Sequence, residues 1–162
     1  KISFMKARFL EQDFSEDTFD IIYLDSVLEH VLYPKEYLLK ARKLLKKGGI
    51  IYIGVPNEDC LFNDIRKIIF YFIGRKKIST KIKLLDSPYH VVGFNINSLK
   101  FMFNKTNLQI KYLRNFGRKF DFLNSSPTNK AFWISLIFLL PIEFIGKWIG
   151  RDIYFEVYLT KE

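Results

Sequence analysis

Phe19-Asp20-Ile21-Ile22-Tyr23-Leu24-Asp25-Ser26-Val27-Leu28-Glu29-His30-Val31 is the stretch that decides how this chain folds. Residues 21–24 form an unbroken apolar run, the pattern of a strand covered on both faces of a parallel sheet, deep within it. After Asp25-Ser26 the pattern turns helical, and Pro34 suits the first position of a helix, where its missing N–H costs nothing. Tyr37, Leu38, Ala41, Leu44 and Leu45 then share one face. Gly48-Gly49 is read as the helix stop, with Lys46 and Lys47 in the last turn, where cations complement the helix dipole. Residues 50–55 make a second apolar strand, ended by Pro56-Asn57. Strand, helix and strand joined by short connections form a right-handed parallel crossover.

Outward from this unit, residues 8–13 are a short strand candidate ending at Asp13. On the other side Leu61, Phe62, Ile65, Ile68, Ile69, Phe72 and Ile73 form an amphipathic helix stripe. Residues 78–97 are irregular and contain His90. Ser98 is read as the N-cap of a helix carrying Leu99, Met102 and Phe103, and residues 109–113 alternate as a strand. Residues 131–149 are strongly apolar, and 152–160 read as a final strand. The expected fold class is α/β: one partial domain spanning 1–162, with a mostly parallel sheet, a final antiparallel strand and flanking helices. Segments 58–97 and 116–150 are expected to be acceptor-side or cap insertions.

The composition narrows the function. The chain has 162 residues, 49% of them hydrophobic, enough for one core and too few for two full domains. A single cysteine, Cys60, makes neither an internal disulfide nor a cysteine metal cage. That fits a reducing, cytoplasmic setting, and no secretory pattern opens the sequence. The net charge of +9 is densest at 40–47, at 75–83 and around Lys111, Arg114, Arg118 and Lys119. An anionic partner would suit it, but no nucleic-acid module accompanies these groups, so solvated faces and helix ends are the expected reading.

The ordered pieces 19–31, Pro34, Arg42-Lys43-Leu44-Leu45-Lys46-Lys47-Gly48-Gly49 and Val55-Pro56-Asn57 together resemble the class I S-adenosylmethionine-dependent methyltransferase superfamily, in its small-molecule branch. His90-Val91-Val92-Gly93-Phe94, followed by Ser98-Leu99 and Leu108, resembles the same branch. The resemblance implies a Rossmann-like sheet whose strand tips hold the cofactor, S-adenosylmethionine. It implies that the Asp13 carboxylate meets the adenine amino group, with Phe14 beside it, and that Asp25, Ser26, Val27 and Leu28 line the cofactor turn. An acidic residue ending a strand also serves as a simple turn residue, so both readings of Asp13 stay open.

Methyl transfer from a sulfonium needs alignment, exclusion of water and, for a hydroxyl acceptor, a base. His30 is the candidate base, at the mouth of the strand-end cleft, with Glu29 to orient it and His90 in the loop over the acceptor. Helix capping, a helix-start carboxylate and a backbone-bonded loop histidine are the respective alternatives. In similar quinone-pathway O-methyltransferases an acidic residue three positions before the glutamate helps bind a divalent metal. Here that position is Ser26, so no metal is assigned.

Family members also carry a Gly-rich turn and an acidic residue that hold the methionine and ribose, and no G-x-G occurs here. The expectation is therefore a carboxyl-terminal portion with weak or absent cofactor binding of its own. Its buried edge strand should be covered by residues 7–12 or by a second copy. The expected activity is methylation of a small-molecule or glycan-related acceptor. A noncatalytic interaction module, or an RNA methyltransferase suggested by the charge, is the alternative. The apolar 131–149 segment is expected to be a buried or dimerising helix pair broken at Pro141, with peripheral membrane contact as its other reading.

Overall fold

The computed structural model describes residues 3–72, 90–117, 126 and 128–161. Four strands form one sheet: β1 (Phe19–Asp25), β2 (Leu45–Pro56), β3 (Gln109–Phe116) and β4 (Tyr154–Thr160), in the order β1-β2-β4-β3. β1 and β2 pair in parallel, while β4 runs antiparallel to both β2 and β3. Three strands therefore point one way and the last runs against them, the α/β arrangement the sequence leads one to expect.

Helices α1 (Pro34–Leu44) and α3 (Ile96–Lys105) pack on one face of the sheet, and α2 (Leu61–Phe72) leads away from the end of β2. Their apolar stripes supply Leu38, Ala41, Leu99, Met102 and Phe103. These meet Leu24, Ile51, Ile53, Val55, Phe155, Val157 and Leu159 from alternate strand positions.

The opposite face breaks the expectation that the apolar strands are covered on both sides. Ile21 is 68% exposed and Tyr23 64%. β1 lies at the sheet edge, as the expectation of an edge strand needing cover requires, and not deep within the sheet. One tyrosine from each strand, Tyr23, Tyr52, Tyr158 and Tyr112, forms a row across this face. Neighbouring ring centroids lie 4.4, 5.3 and 5.8 Å apart. The rings shelter one another where, among the described residues, no helix does.

Residues 8–13 do not form a strand and do not cover the β1 edge. They make a short 3-10 turn, Phe9–Glu11, and fold onto α1. Phe9 packs on Tyr37 at 5.4 Å, and Lys40 donates to the carbonyls of Leu10 and Gln12. With one apolar ring and no alternation, this segment gains more from the flank of α1 than from a sheet edge.

Two helix boundaries also move. α1 ends at Leu44, and β2 already runs through Lys46, so that lysine is not in a last helical turn; its ammonium pairs with Asp20 at 2.8 Å instead. The glycine pair serves a register irregularity in the strand, with Gly48 at φ +77°. α3 begins one turn earlier than expected, because Asn95 is the N-cap and Ser98 completes a capping box with it. The expected irregular segment at 78–97 is described only from His90 onward; residues 78–89, Ile73, the basic group at 75–83, Arg118 and Lys119 lie outside the described residues.

The apolar segment near the carboxyl terminus is not broken at Pro141. α4 (Lys130–Ile134), a π-helical stretch (Ser135–Leu139) and α5 (Leu140–Trp148) run on continuously. Pro141 lacks an N–H and crowds the carbonyl four residues back, and the widened turn just before it relieves both problems. Nor is this helix buried, since Phe144 and Trp148 stand largely in solvent. Among the described residues no helix is long and apolar enough to cross a membrane.

Phe103 is fully buried at the centre of the core. Phe103→Ala should cost about 3–5 kcal/mol of unfolding free energy, read from urea denaturation of the two proteins. A loss under about 1 kcal/mol would mean that α3 is not part of the cooperative core.

Candidate functional site

The site is built at the carboxyl ends of β1 and β2. The β1 chain leaves the sheet through Ser26, which holds the left-handed conformation at φ 53° while its N–H donates to the Gly54 carbonyl at 2.9 Å. A non-glycine residue there is uncommon, and here it turns the backbone sharply into a 3-10 turn, Leu28–His30. Leu28 points into the core with no exposure, and Val27 packs against the same core. The Leu28 side chain therefore lines no cofactor surface, contrary to the expectation; its backbone alone is available.

The 3-10 turn also organises the loop that begins at His90. The Glu29 carbonyl accepts from the N–H groups of Val91 and Val92 at 2.7 and 3.1 Å. This pins His90 beside His30, with ring centroids 5.0 Å apart. His30 Nε2 lies 3.8 Å from Glu29 Oε1, and His90 Nδ1 lies 3.9 Å from Glu58 Oε1. Glu29, His30 and His90, residues drawn from two distant parts of the sequence, thus form one cluster. Their donor atoms lie within 4.8 Å of one another, so these three residues could share a cation.

Beside the cluster is a polar network that the sequence reading missed. The Tyr154 hydroxyl lies 3.2 Å from Asp25 Oδ1 and 2.7 Å from Ser26 Oγ. Burial, seconded by the negative charge of Asp25, pushes the Tyr154 phenol up to about 12, so it stays protonated near neutrality. Its one proton goes to Asp25, and Ser26 donates to its oxygen. Tyr23 donates to the other Asp25 oxygen at 3.2 Å. Nothing near Tyr154 in the sequence marks it, because its partners are 128 and 129 residues away. Glu58, nearly buried beside His90, is a further acidic member of the site that no local pattern marks.

Asp13 and Phe14 do not join this cluster. They line a surface groove of about 410 Å³ against Leu39, Lys40, Lys43 and Leu44 of α1. Phe14 stacks edge-on against Phe19, the first residue of β1, with centroids 5.5 Å apart. Asp25 is six residues further along that strand, roughly 20 Å away at strand rise. The expected convergence at the strand tips fails for this pair, because residues 8–13 follow α1 rather than the sheet. Asn57 is at a strand tip, but its amide donates inward to the Asp152 carbonyl at 2.8 Å and holds β4.

The residues present fit one wall of a cofactor pocket. Asp25, Ser26, Tyr154, Glu29 and His30 offer polar groups at the strand tips, and Glu29 Oε2 is buried without a hydrogen-bond partner. The nucleoside-binding wall is not formed by Asp13 and Phe14 in this arrangement.

Glu29 has a measurable signature. Its carboxyl is held above the usual glutamate range, chiefly by burial, with the charge of His30 opposing. Between the unfolded and folded titration ranges the folded state binds more protons, so stability falls as pH rises through that window and stays lower above it. Glu29→Gln should therefore gain stability relative to the parent at pH 7 compared with pH 4, measured by urea denaturation. A difference independent of pH would place the carboxylate in solvent.

Several known proteins are similar to this chain. A SAM-dependent methyltransferase from Thermotoga maritima, described as a possible histamine N-methyltransferase, superposes with a TM-score of 0.58 at 15% identity, covering 98% of this chain and 63% of that one. A putative methyltransferase from Bacillus halodurans gives 0.55 at 17% identity, covering 96% of this chain and 70% of that one. These likenesses speak to the fold alone. An uncharacterised protein of Methanocaldococcus jannaschii is 28% identical over 100 residues, 62% of this chain and 39% of the relative. The chain therefore spans about two fifths of that relative's length. Residues 3–123 match the family model described as a methyltransferase domain, and the chain belongs to that family.

Proposed function

We propose that the protein takes part in methyl transfer from S-adenosylmethionine to a small-molecule or glycan-related acceptor, with the tips of β1 and β2 as the transfer wall. One observation carries the reading: the Glu29-His30 turn and the distant His90 loop are tied into a single cluster at the carboxyl ends of parallel strands. In open sheets of this kind ligands bind at those ends.

When bound, the cofactor supplies an electrophilic methyl group, and the remaining work is alignment and proton handling. His30 Nε2 is the atom that takes the acceptor proton. Glu29, within 3.8 Å, stabilises the imidazolium that results. Asp25 and Ser26, steadied by Tyr154, hold polar groups of the bound molecules at the strand tip. His90 closes the side facing the acceptor and helps exclude water.

A second reading is favoured by the position of Asp13 and Phe14 against α1. Without their carboxylate and ring at the strand tips, the unit would serve as a noncatalytic interaction module. Calorimetric titration with S-adenosylmethionine separates the two: the methyl-transfer reading requires saturable heat, and a flat titration removes it. Given binding, His30→Ala should lower S-adenosylhomocysteine production on a panel of hydroxylated acceptors by about 10²–10⁴-fold, with cofactor affinity preserved. Undiminished turnover would take His30 out of the proton-transfer role.

A further inference from the structure

The helix of α4, the π-helical stretch and α5 carries an exposed stripe that serves neither the core nor the cluster. Trp133, Ile137, Pro141, Phe144 and Trp148 succeed one another at three- and four-residue intervals along its outer side. The four large residues among them are 51%, 57%, 74% and 85% exposed, in that order. From Trp133 to Trp148 the stripe runs about 22 Å at helical rise. α2, which packs against α5, also leaves Ile68, Tyr71 and Phe72 exposed. Such a surface on a folded protein marks a contact with something apolar.

The charges around the ridge say what that something is. Lys130 and Lys147, near the two ends of the helix, are exposed. The acids are turned away or neutralised. Glu143 is half-buried on the inner side, where the Asp152 charge acts on it. Asp152 is buried, and Asp64 of α2 is held by Lys67 and Arg151. The outward side thus combines tryptophan and phenylalanine with two exposed lysines, while the nearby acids Glu143 and Asp152 face inward. A bilayer interface favours that combination, since aromatic rings settle at headgroup depth and cations meet anionic lipids.

We propose that this ridge docks the protein on an anionic lipid surface, with the helix lying in the plane of the interface. The inference does not depend on the methyl-transfer reading and stands or falls separately from it.

Both tryptophans of the chain, Trp133 and Trp148, are on the ridge, so intrinsic fluorescence reports on it directly. The protein should sediment with phosphatidylcholine vesicles containing phosphatidylglycerol, with a blue-shifted emission, and less so as salt is raised. Pure phosphatidylcholine vesicles should retain at least several-fold less. Phe144→Glu combined with Ile137→Glu should cut the sedimented fraction about tenfold while leaving the circular dichroism spectrum unchanged. Lys147→Glu, a change outside the apolar stripe, should weaken binding to the anionic vesicles only. Failure of the parent protein to bind either vesicle overturns the proposal. So does vesicle binding that survives the double substitution, or a dimer in sedimentation velocity that the double substitution dissociates and anionic vesicles leave intact.

Discussion

The register of the parallel pair β1 and β2 is the constraint from which the rest of the site follows. It sets Asp25 beside Gly54, so closely that a Cβ on Gly54 would collide with Asp25 Oδ1. Only a residue without a side chain leaves room for the carboxylate there. The same alignment lets Ser26 donate to the Gly54 carbonyl, which steadies the left-handed turn at φ 53°. That turn directs Leu28 into the core and leaves the Glu29 carbonyl to receive the His90 loop. A slip of one residue would reverse every one of these side chains to the other face.

The two faces of the sheet are held by different forces. On the helix side, fully buried aliphatic and aromatic side chains exclude water, and this burial is the main source of stability. On the other side a row of four tyrosines spans the strands, with Arg114 and Glu156 paired beside them. That face exposes Ile21, Tyr23 and Tyr112, whereas the helix side is fully buried, so the sheet is organised chiefly from one side. The β3–β4 end is held differently again. Asn115 and Asn57 both donate to the Asp152 carbonyl, satisfying backbone at the point where β4 enters the sheet.

Several of the cations have structural partners inside the molecule. Lys40 satisfies two carbonyls of the amino-terminal segment, Lys46 meets Asp20, and Lys161 meets Asp17. Arg151 bonds both the Asp59 carbonyl and the Asp64 carboxylate, tying the entry of β4 to α2. These four cations fasten loops and helix ends. Lys130 and Lys147 on the aromatic ridge stay exposed, with Glu143 and Asp152 turned inward beside the helix.

The sequence by itself determined the strand-helix-strand unit, the final antiparallel strand and the residue types at the strand tips, because apolar periodicity, Pro34 and the order of short motifs are local signals. It also singled out Glu29, His30 and His90. Their assembly into one cluster, however, depends on backbone hydrogen bonds between segments sixty residues apart. Only the tertiary structure decided which face of the sheet is covered, since a continuous apolar run reads the same whether one layer or two packs against it. It alone brought Tyr154 to Asp25 and Ser26 across the sheet. It alone sent Asp13 and Phe14 to α1, where a ring contact and a lysine outweighed the strand pairing that their local pattern suggested.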